Sequence, residues 1–301
     1  MATVETAFEQ VITPVTHDLG AFKVNRTLPS RPRTMVGPFI FVDEFGPARL
    51  PAGQGMDVRP HPHINLATVT YLFEGAIEHR DSIGNQAVIE PGAINLMTAG
   101  SGIVHSERSP REIRAAGPSL YGMQTWLALP DGKEEVEPAF DHVPAAMLPV
   151  VEDKGVRARV LMGDLWGVVA ATPQHSPTIY ADIELDAAGA IPIDSDADER
   201  AVMVVGGEAE LDGQPLELFA LYILKPGYSP RLSSRAGGRV MLLGGQAFTT
   251  PRHVFWNFVS SSRDRISQAK DDWKAMRFAL IPGDDQEFIP LPEVPITVSY
   301  P

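Results

Sequence analysis

The stretch that decides the fold reads Met97-Thr98-Ala99-Gly100-Ser101-Gly102-Ile103-Val104-His105-Ser106-Glu107. Its two glycines and the serine between them signal a turn. A β-strand after that turn would place His105 and Glu107 on one face, because side chains alternate across a strand. The stretch therefore predicts a turn and then a strand that presents an imidazole beside a carboxylate.

A second pair with the same spacing comes earlier in the chain, in Arg59-Pro60-His61-Pro62-His63. Two neighbouring strands that carry both pairs would direct three imidazoles and one carboxylate at a common point. That mixture of nitrogen and oxygen ligands suits Fe, Mn, Ni, Cu and Zn. Proline within a sheet is restricted to edges, strand starts and bulges, so Pro62 predicts that His61 and His63 lie at the beginning of their strand.

The remaining histidines carry weaker signals. The structural interpretation, a hydrogen-bonded histidine with no ligand role, is given to those without a partner two residues away: His17, His142, His175 and His253. Three interpretations stay open for His79, which could support a metal ligand, contact a substrate or simply occupy a turn. Because the second half of the chain lacks both paired motifs, we expect no second metal site there.

Composition favours a large protein built from strands. The chain has 301 residues, of which 44% are hydrophobic, and this length is more often two domains than one. Its 27 prolines and 26 glycines against 21% charged residues are typical of short strands joined by turns. The absence of cysteine excludes disulfides, cysteine-based zinc sites and a thiol nucleophile.

Strand-like runs occur in both halves of the chain, with turn signals but no helix between the early ones. The clearest runs are 39–42, 67–73, 86–89, 123–129, 156–162, 178–185, 201–205 and 239–243. This spacing favours an antiparallel sandwich or barrel. A polar, turn-rich segment at 130–138 predicts two domains, 1–135 with the histidine pairs and 136–301 without them.

One helix is predicted near the C-terminus. Ser260-Ser261-Ser262 offers N-caps, and Pro282-Gly283 would end the helix. The apolar positions between them follow helical spacing: Ile266, Ala269, Trp273, Met276 and Leu280. We therefore expect an amphipathic helix packed on a sheet.

Charge and hydropathy disfavour several classes of partner. The formal net charge of −13 would repel a phosphate backbone, so direct nucleic-acid binding is not expected. The N-terminus lacks the pattern of a signal peptide, and no long window is free of charges and prolines. A soluble cytoplasmic protein without membrane contact is the expectation.

These motifs together resemble the pirin family of the cupin superfamily. The resemblance rests on the two histidine motifs and four further stretches: Thr68-Val69-Thr70-Tyr71-Leu72-Phe73-Glu74-Gly75, His79-Arg80-Asp81-Ser82, Gly244-Gly245-Gln246-Ala247-Phe248 and Trp256-Asn257-Phe258-Val259-Ser260-Ser261-Ser262. It implies an all-β fold of two cupin-type β-barrel (jelly-roll) domains, face to face, with a C-terminal helix. It also implies one metal, in the N-terminal domain, held by His61, His63, His105 and Glu107.

One departure from the family pattern concerns the pocket. Many pirins continue the first motif with Arg-Gly-Phe-Glu, where this chain has Ile64-Asn65-Leu66-Ala67. The charged pair is lost, and Glu107 is the only carboxylate that the motifs place at the metal. The change puts the substrate in doubt more than the metal.

The resemblance implies an activity and leaves two alternatives. Some family members open a flavonol ring with dioxygen and release carbon monoxide. Glu107 would then be both ligand and catalytic proton acceptor, and the metal would be Fe(II), with Mn, Ni, Cu and Zn left open. The alternatives are a non-enzymatic, metal- or redox-sensing regulator with a protein partner, and a cupin acting on another small enol or carbonyl compound.

Overall fold

The computed structural model describes residues 6–18, 22–194 and 196–293 and the strand at 297–298. Strands make up most of its regular structure, so the all-β prediction is confirmed. Within the described residues, no helix combines the length and the apolar character needed to cross a bilayer.

The regular elements follow one another along the chain with short connections. The strands of the first half are β1 Phe8–Ile12, β2 Val15–Asp18, β3 Lys23–Leu28, β4 Phe39–Arg49, β5 Asp57–His63, β6 Leu66–Gly75, β7 Ile77–Asp81, β8 Gln86–Ile89, β9 Ile94–Thr98, β10 Ile103–Arg108, β11 Ser119–Ala128 and β12 Ala139–Val143. Those of the second half are β13 Val150–Asp153, β14 Val156–Met162, β15 Asp164–Leu165, β16 Val168–Val169, β17 Thr178–Leu185, β18 Ala190–Pro192, β19 Glu199–Gly207, β20 Glu210–Leu211, β21 Gln214–Pro215, β22 Leu221–Leu224, β23 Arg231–Ser233, β24 Gly238–Gly245, β25 His253–Phe255, β26 Phe258–Ser260 and β27 Thr297–Val298. The helices are α1 Arg111–Arg114 and α2 Arg263–Lys274, with one 3-10 turn at Ala145–Met147.

The chain divides into two compact units that are not its two halves. One, here the apolar-core unit, comprises Met1–Thr16, Asn25–Glu44 and Ala146–Ala247. The other, here the histidine-rich unit, comprises His17–Val24, Phe45–Ala145 and Phe248–Pro301 and contains every histidine except His175. The domain boundary expected between residues 135 and 136 stays a prediction.

The apolar-core unit is filled by hydrophobic side chains. Its seven-stranded sheet has the order β1-β22-β19-β24-β17-β14-β13, and a four-stranded sheet has the order β18-β23-β20-β21. Both sheets contribute to one buried cluster, which includes Val160, Ile183 and Leu242 from the larger sheet and Leu211 and Leu232 from the smaller one. An interior of this kind is stabilised by apolar burial and holds no ring of imidazoles.

The histidine-rich unit places polar groups between its sheets. One sheet has the order β5-β10-β7-β8, and a longer sheet has the order β12-β9-β6-β11-β4-β3-β2, of which β12, β9, β6 and β11 lie wholly in this unit. All the observed pairings of β5 to β12 are antiparallel, as the sequence predicts. Hydrophobic clusters flank the polar region, one of them formed by Ile64 and Val104 with α2 and the strands before it.

The predicted position of the first histidine pair within its strand is wrong. His61 and His63 lie at the end of β5, not at its beginning. β5 is nevertheless an edge strand whose neighbour is β10. An edge strand tolerates Pro62 in its interior because the missing N–H removes no hydrogen bond from the sheet when that side is unpaired.

The C-terminal helix exists but ends earlier than predicted. Ser262 caps α2 by accepting a hydrogen bond from the Arg265 N–H, and Ile266, Ala269 and Trp273 are its buried residues. The helix ends at Lys274, and Met276 adopts a φ of +53°, which no helix can continue. Met276 and Leu280, predicted on the buried face, are therefore exposed.

Candidate metal centre

Three histidines meet inside the histidine-rich unit because two neighbouring strands carry them in register. His105 of β10 lies opposite His61 of β5 and, on its other side, opposite Asp81 of β7. The next residue on the same face of β10, Glu107, lies opposite His79 of β7. This sheet therefore gathers the side chains of both sequence motifs on its inner face.

The imidazoles are close together and buried. The ligand nitrogens of His61, His63 and His105 all lie within 4.8 Å of one another. The Nε2 atoms of His63 and His105 are 3.1 Å apart. The three side chains are at most 6% exposed, so water cannot satisfy these nitrogens from the surface.

Backbone carbonyls determine which nitrogen carries the proton in two of the rings. His61 Nδ1 lies 2.8 Å from the Arg59 carbonyl oxygen, and His63 Nδ1 lies 3.0 Å from the Asn257 carbonyl oxygen. Because a carbonyl can only accept, each Nδ1 is the donor, and each Nε2 is left with a lone pair. Burial lowers the pKa of His61 to about 4 and that of His63 well below its ordinary value, so both rings are neutral at pH 7.

These donors fit a transition metal. Neutral imidazole nitrogens that converge in a buried place are the ligands that borderline divalent metals prefer. Each of the first two rings also has the outer hydrogen bond that usually orients a ligating histidine. The group of ligand atoms thus consists of the three predicted histidines.

Glu107 borders this group and is not part of it. Its Oε1 accepts hydrogen bonds from Thr70 Oγ1 at 3.4 Å and Gln124 Nε2 at 3.3 Å. Burial raises the pKa of the Glu107 carboxyl, against the opposing effects of His79, Thr70 and Gln124. The structure thus brings three of the four predicted ligands together, and ligation by Glu107 stays a prediction.

Aromatic rings close two sides of the centre. Trp126 of β11 contacts His63 edge-on, with ring centroids 5.0 Å apart. Phe140 of β12 stacks on His79, with centroids 4.4 Å apart and planes inclined by 15°. The side chains that surround the histidines therefore come from both sheets of the unit.

Four residues at the centre went unrecognised in the sequence: Thr70, Gln124, Trp126 and Asn257. The first three occupy alternate positions on strand-like runs, which shows only that they share the face of a sheet. Asn257 contributes a backbone atom, and no side-chain motif could have indicated it. His17, His142, His175 and His253 are not members of the three-histidine group.

Family models describe both parts of the chain. Residues 21–127 match the pirin model, and residues 180–279 match the model of the pirin C-terminal cupin domain. The chain belongs to the pirin family. The two cupin domains expected from its sequence motifs are thereby confirmed.

Individual pirins and solved structures support the same assignment. A pirin-like protein from Caulobacter vibrioides is 47% identical over 279 residues, covering 92% of this chain and 96% of its own. The crystal structure of a quercetin 2,3-dioxygenase from Acinetobacter baumannii matches with a TM-score of 0.89 and 34% identity, covering 97% of both chains. A bacterial pirin from Escherichia coli in complex with nickel(II) matches with a TM-score of 0.62, covering 79% of this chain and 99% of its own; at 18% identity this likeness shows the fold alone.

Proposed function

We propose that this pirin is a metal-dependent dioxygenase that opens the ring of a flavonol with dioxygen. The convergence of three buried imidazoles carries the proposal, because it prepares one metal position inside the barrel. The 34% identity to a quercetin 2,3-dioxygenase over 97% of the chain supports the choice of substrate class. The small aromatic substrate and dioxygen are thus inferred from a relative, and the metal position from this chain.

The proposed ligands are His61, His63, His105 and Glu107. Fe(II) is the proposed metal, because a site of three histidines and one carboxylate suits non-haem iron, although the same donors suit Mn, Ni, Cu and Zn. When bound, such a metal supplies Lewis acidity, which favours loss of the proton from a coordinated hydroxyl.

Glu107 is the proposed proton acceptor. A flavonol must lose its 3-hydroxyl proton to become the electron-rich species that dioxygen attacks, and a carboxylate within reach can take that proton. Thr70 and Gln124 hold one carboxylate oxygen from the opposite sheet, which fixes the direction of the side chain. We expect these two hydrogen bonds to keep Glu107 aimed at the substrate hydroxyl.

The walls of the centre favour a dry aromatic substrate site. Trp126 and Phe140 present rings on the side of the longer sheet, and the three histidines are almost fully buried. Aromatic and apolar walls with a few fixed polar groups are typical of small-molecule sites. Exclusion of water would protect a reactive flavonol anion from reprotonation.

Metal analysis and an oxygen-consumption assay test the proposal. Protein purified without a His tag or a chelating column should take up one equivalent of Fe(II), and the loaded protein should consume dioxygen with a flavonol such as quercetin. Failure to retain any of the five metals after reconstitution would remove the metal centre. Stoichiometric metal without turnover of any flavonol, enol or carbonyl compound would favour the regulatory role with a protein partner.

Glu107→Gln tests the catalytic role separately. The amide keeps the size of the side chain and one oxygen but cannot accept the hydroxyl proton. We expect the variant to retain metal and to lose at least about a hundredfold in kcat, within the usual contribution of a general base. Full turnover at unchanged metal content would exclude Glu107 as the proton acceptor. A cytoplasmic location stays a prediction, which cell fractionation with immunodetection tests.

A further inference from the structure

His79 joins one proposed ligand to a buried carboxylate. Its Nε2 lies 3.0 Å from Asp81 Oδ2, and its Nδ1 lies 3.5 Å from His105 Nδ1. Both His79 and Asp81 are almost fully buried, at 3% and 0% exposure. The three side chains thus form a chain of contacts that leads to His105.

Asp81 is held firmly at the outer end of this chain. The backbone N–H groups of Ile83 and Asn85 donate to its Oδ1 at 3.1 and 2.9 Å. The Asn85 side-chain amide donates to both of its oxygens. Burial alone would raise the pKa of the Asp81 carboxyl, but the hydrogen bonds from His79 and Asn85 outweigh it and lower the pKa. Asp81 is therefore an ionised carboxylate, which can only accept.

An ionised acceptor determines where His79 carries its proton. Nε2 must be the donor to Asp81, so neutral His79 has its lone pair on Nδ1. That lone pair faces Nδ1 of His105. A lone pair on one side requires a proton on the other, so His105 would be protonated at Nδ1 and bare at Nε2.

We propose that Asp81 and His79 form a hydrogen-bonded relay that fixes the tautomer of His105 and directs its Nε2 lone pair toward the metal. This inference rests on the proposed metal centre for its purpose, and it makes His79 a positioning residue. It also resolves the contact between Nε2 of His63 and Nε2 of His105. With all three rings protonated at Nδ1, the three Nε2 atoms face one another as lone pairs.

His105 is the ligand whose tautomer depends on a side chain. His61 and His63 donate to carbonyl oxygens of Arg59 and Asn257, which are acceptors in every state of the protein. The acceptor for His105 is an imidazole, which can accept or donate according to its own tautomer. Substitution of His79 or Asp81 can therefore change His105 without touching a ligand.

The test compares four variants by two measurements. His79→Phe keeps a ring to stack on Phe140 but removes the acceptor; His79→Gln restores an acceptor oxygen; Asp81→Asn offers an amide N–H that would reverse the His79 tautomer. His142→Phe is the matched control, because it removes a histidine of the same unit that hydrogen-bonds Asn95. Ring 15N shifts of the metal-free, histidine-labelled proteins report the tautomers, and chelator competition measures the affinity for Zn(II).

The relay predicts different results for each variant. His105 should be protonated at Nδ1 in the unsubstituted protein, at both nitrogens in turn in His79→Phe, and at Nε2 in Asp81→Asn. Zn(II) affinity should fall by about ten- to a hundredfold in His79→Phe and Asp81→Asn, the range seen when an outer partner of a ligand is lost. His79→Gln should recover most of that loss, and His142→Phe should bind Zn(II) as the unsubstituted protein does.

Specific results would overturn the relay. Protonation of His105 at Nε2 in the unsubstituted protein, or an unchanged tautomer in His79→Phe, would do so. If His79→Phe does not fold, an unchanged tautomer in Asp81→Asn would overturn the relay equally. The spectra need no metal, so they test the relay even if the unsubstituted protein binds no Zn(II), a result that would count against the metal centre instead.

Discussion

The buried carboxylate of Glu44 gives the stability of the apolar-core unit a defined pH dependence. Glu44 is 0% exposed, and its Oε2 accepts a hydrogen bond from Asn25 Nδ2 at 2.8 Å. Its Oε1 has no hydrogen-bond partner among the residues that the structure describes. Burial, the main cause, raises the pKa of Glu44 from 4.5 to about 7.

The sign follows from the direction of this shift. A carboxyl whose pKa is higher in the folded state is favoured there in its protonated form, so it costs nothing below the unfolded pKa. The cost grows as the pH rises from 4.5 toward 7 and is constant above that. At about 1.4 kcal/mol per pKa unit, the full cost is about 3 kcal/mol, of which about 2.5 kcal/mol develops between pH 5 and pH 8.

Glu44→Gln should remove this cost because the amide has nearly the same shape and no charge. The measured quantity is the change in the free energy of unfolding caused by the substitution, from urea denaturation at pH 5 and at pH 8. We expect that change to be more favourable at pH 8 by about 2.5 kcal/mol. Subtracting the two values cancels any packing effect that does not depend on pH.

Glu90→Gln is the control, since it removes a carboxylate from an exposed position. It should change the stability equally at both pH values. If Glu44→Gln also shows the same effect at pH 5 and pH 8, the carboxylate is not desolvated in the folded protein. A larger benefit at pH 5 than at pH 8 would refute the sign itself.

Three further substitutions test the metal centre and its frame. His61→Ala should lose most metal affinity and keep its circular dichroism spectrum, because apolar packing holds the strands, whereas His253→Ala should retain the metal; unfolding of the first variant would make the metal structural. Gly100→Ala should lower the free energy of unfolding by more than about 2 kcal/mol, because φ is +50° and the added Cβ would lie 1.8 Å from the Val136 carbonyl oxygen; an unchanged denaturation midpoint would contradict this. Asp284→Ala should cost about 1–3 kcal/mol and expose the segment after α2 to proteases, because its carboxylate accepts from an arginine and a serine of β10; equal resistance to proteolysis would show that these contacts contribute little.

Local patterns were sufficient wherever the relevant physics is local. The spacing of His61 with His63 and of His105 with Glu107 predicts shared faces, and β5 and β10 place each pair as expected. Alternation along a strand is a property of the backbone and needs no partner. The same holds for the strand runs and for the start of α2, where the cap is a neighbouring serine.

Local patterns failed where a distant contact or a single dihedral angle decided the outcome. Apolar spacing alone extends α2 to Leu280, but the left-handed conformation of Met276 ends it sooner. Pro62 was correctly associated with an edge but placed at the wrong end of β5, because proline is tolerated at several positions of an edge strand.

The sequence by itself determined the all-β class, the family and three of the residues that form the metal centre, because residue type and short spacing are enough for each. Only the tertiary structure decided how those residues are oriented. The acceptor for His63 comes from Asn257, 194 positions away, and the acceptor for His105 comes from His79 on a neighbouring strand. A tautomer depends on which atom lies within about 3 Å of a ring nitrogen, and folding brings that atom from a part of the chain that no local pattern specifies.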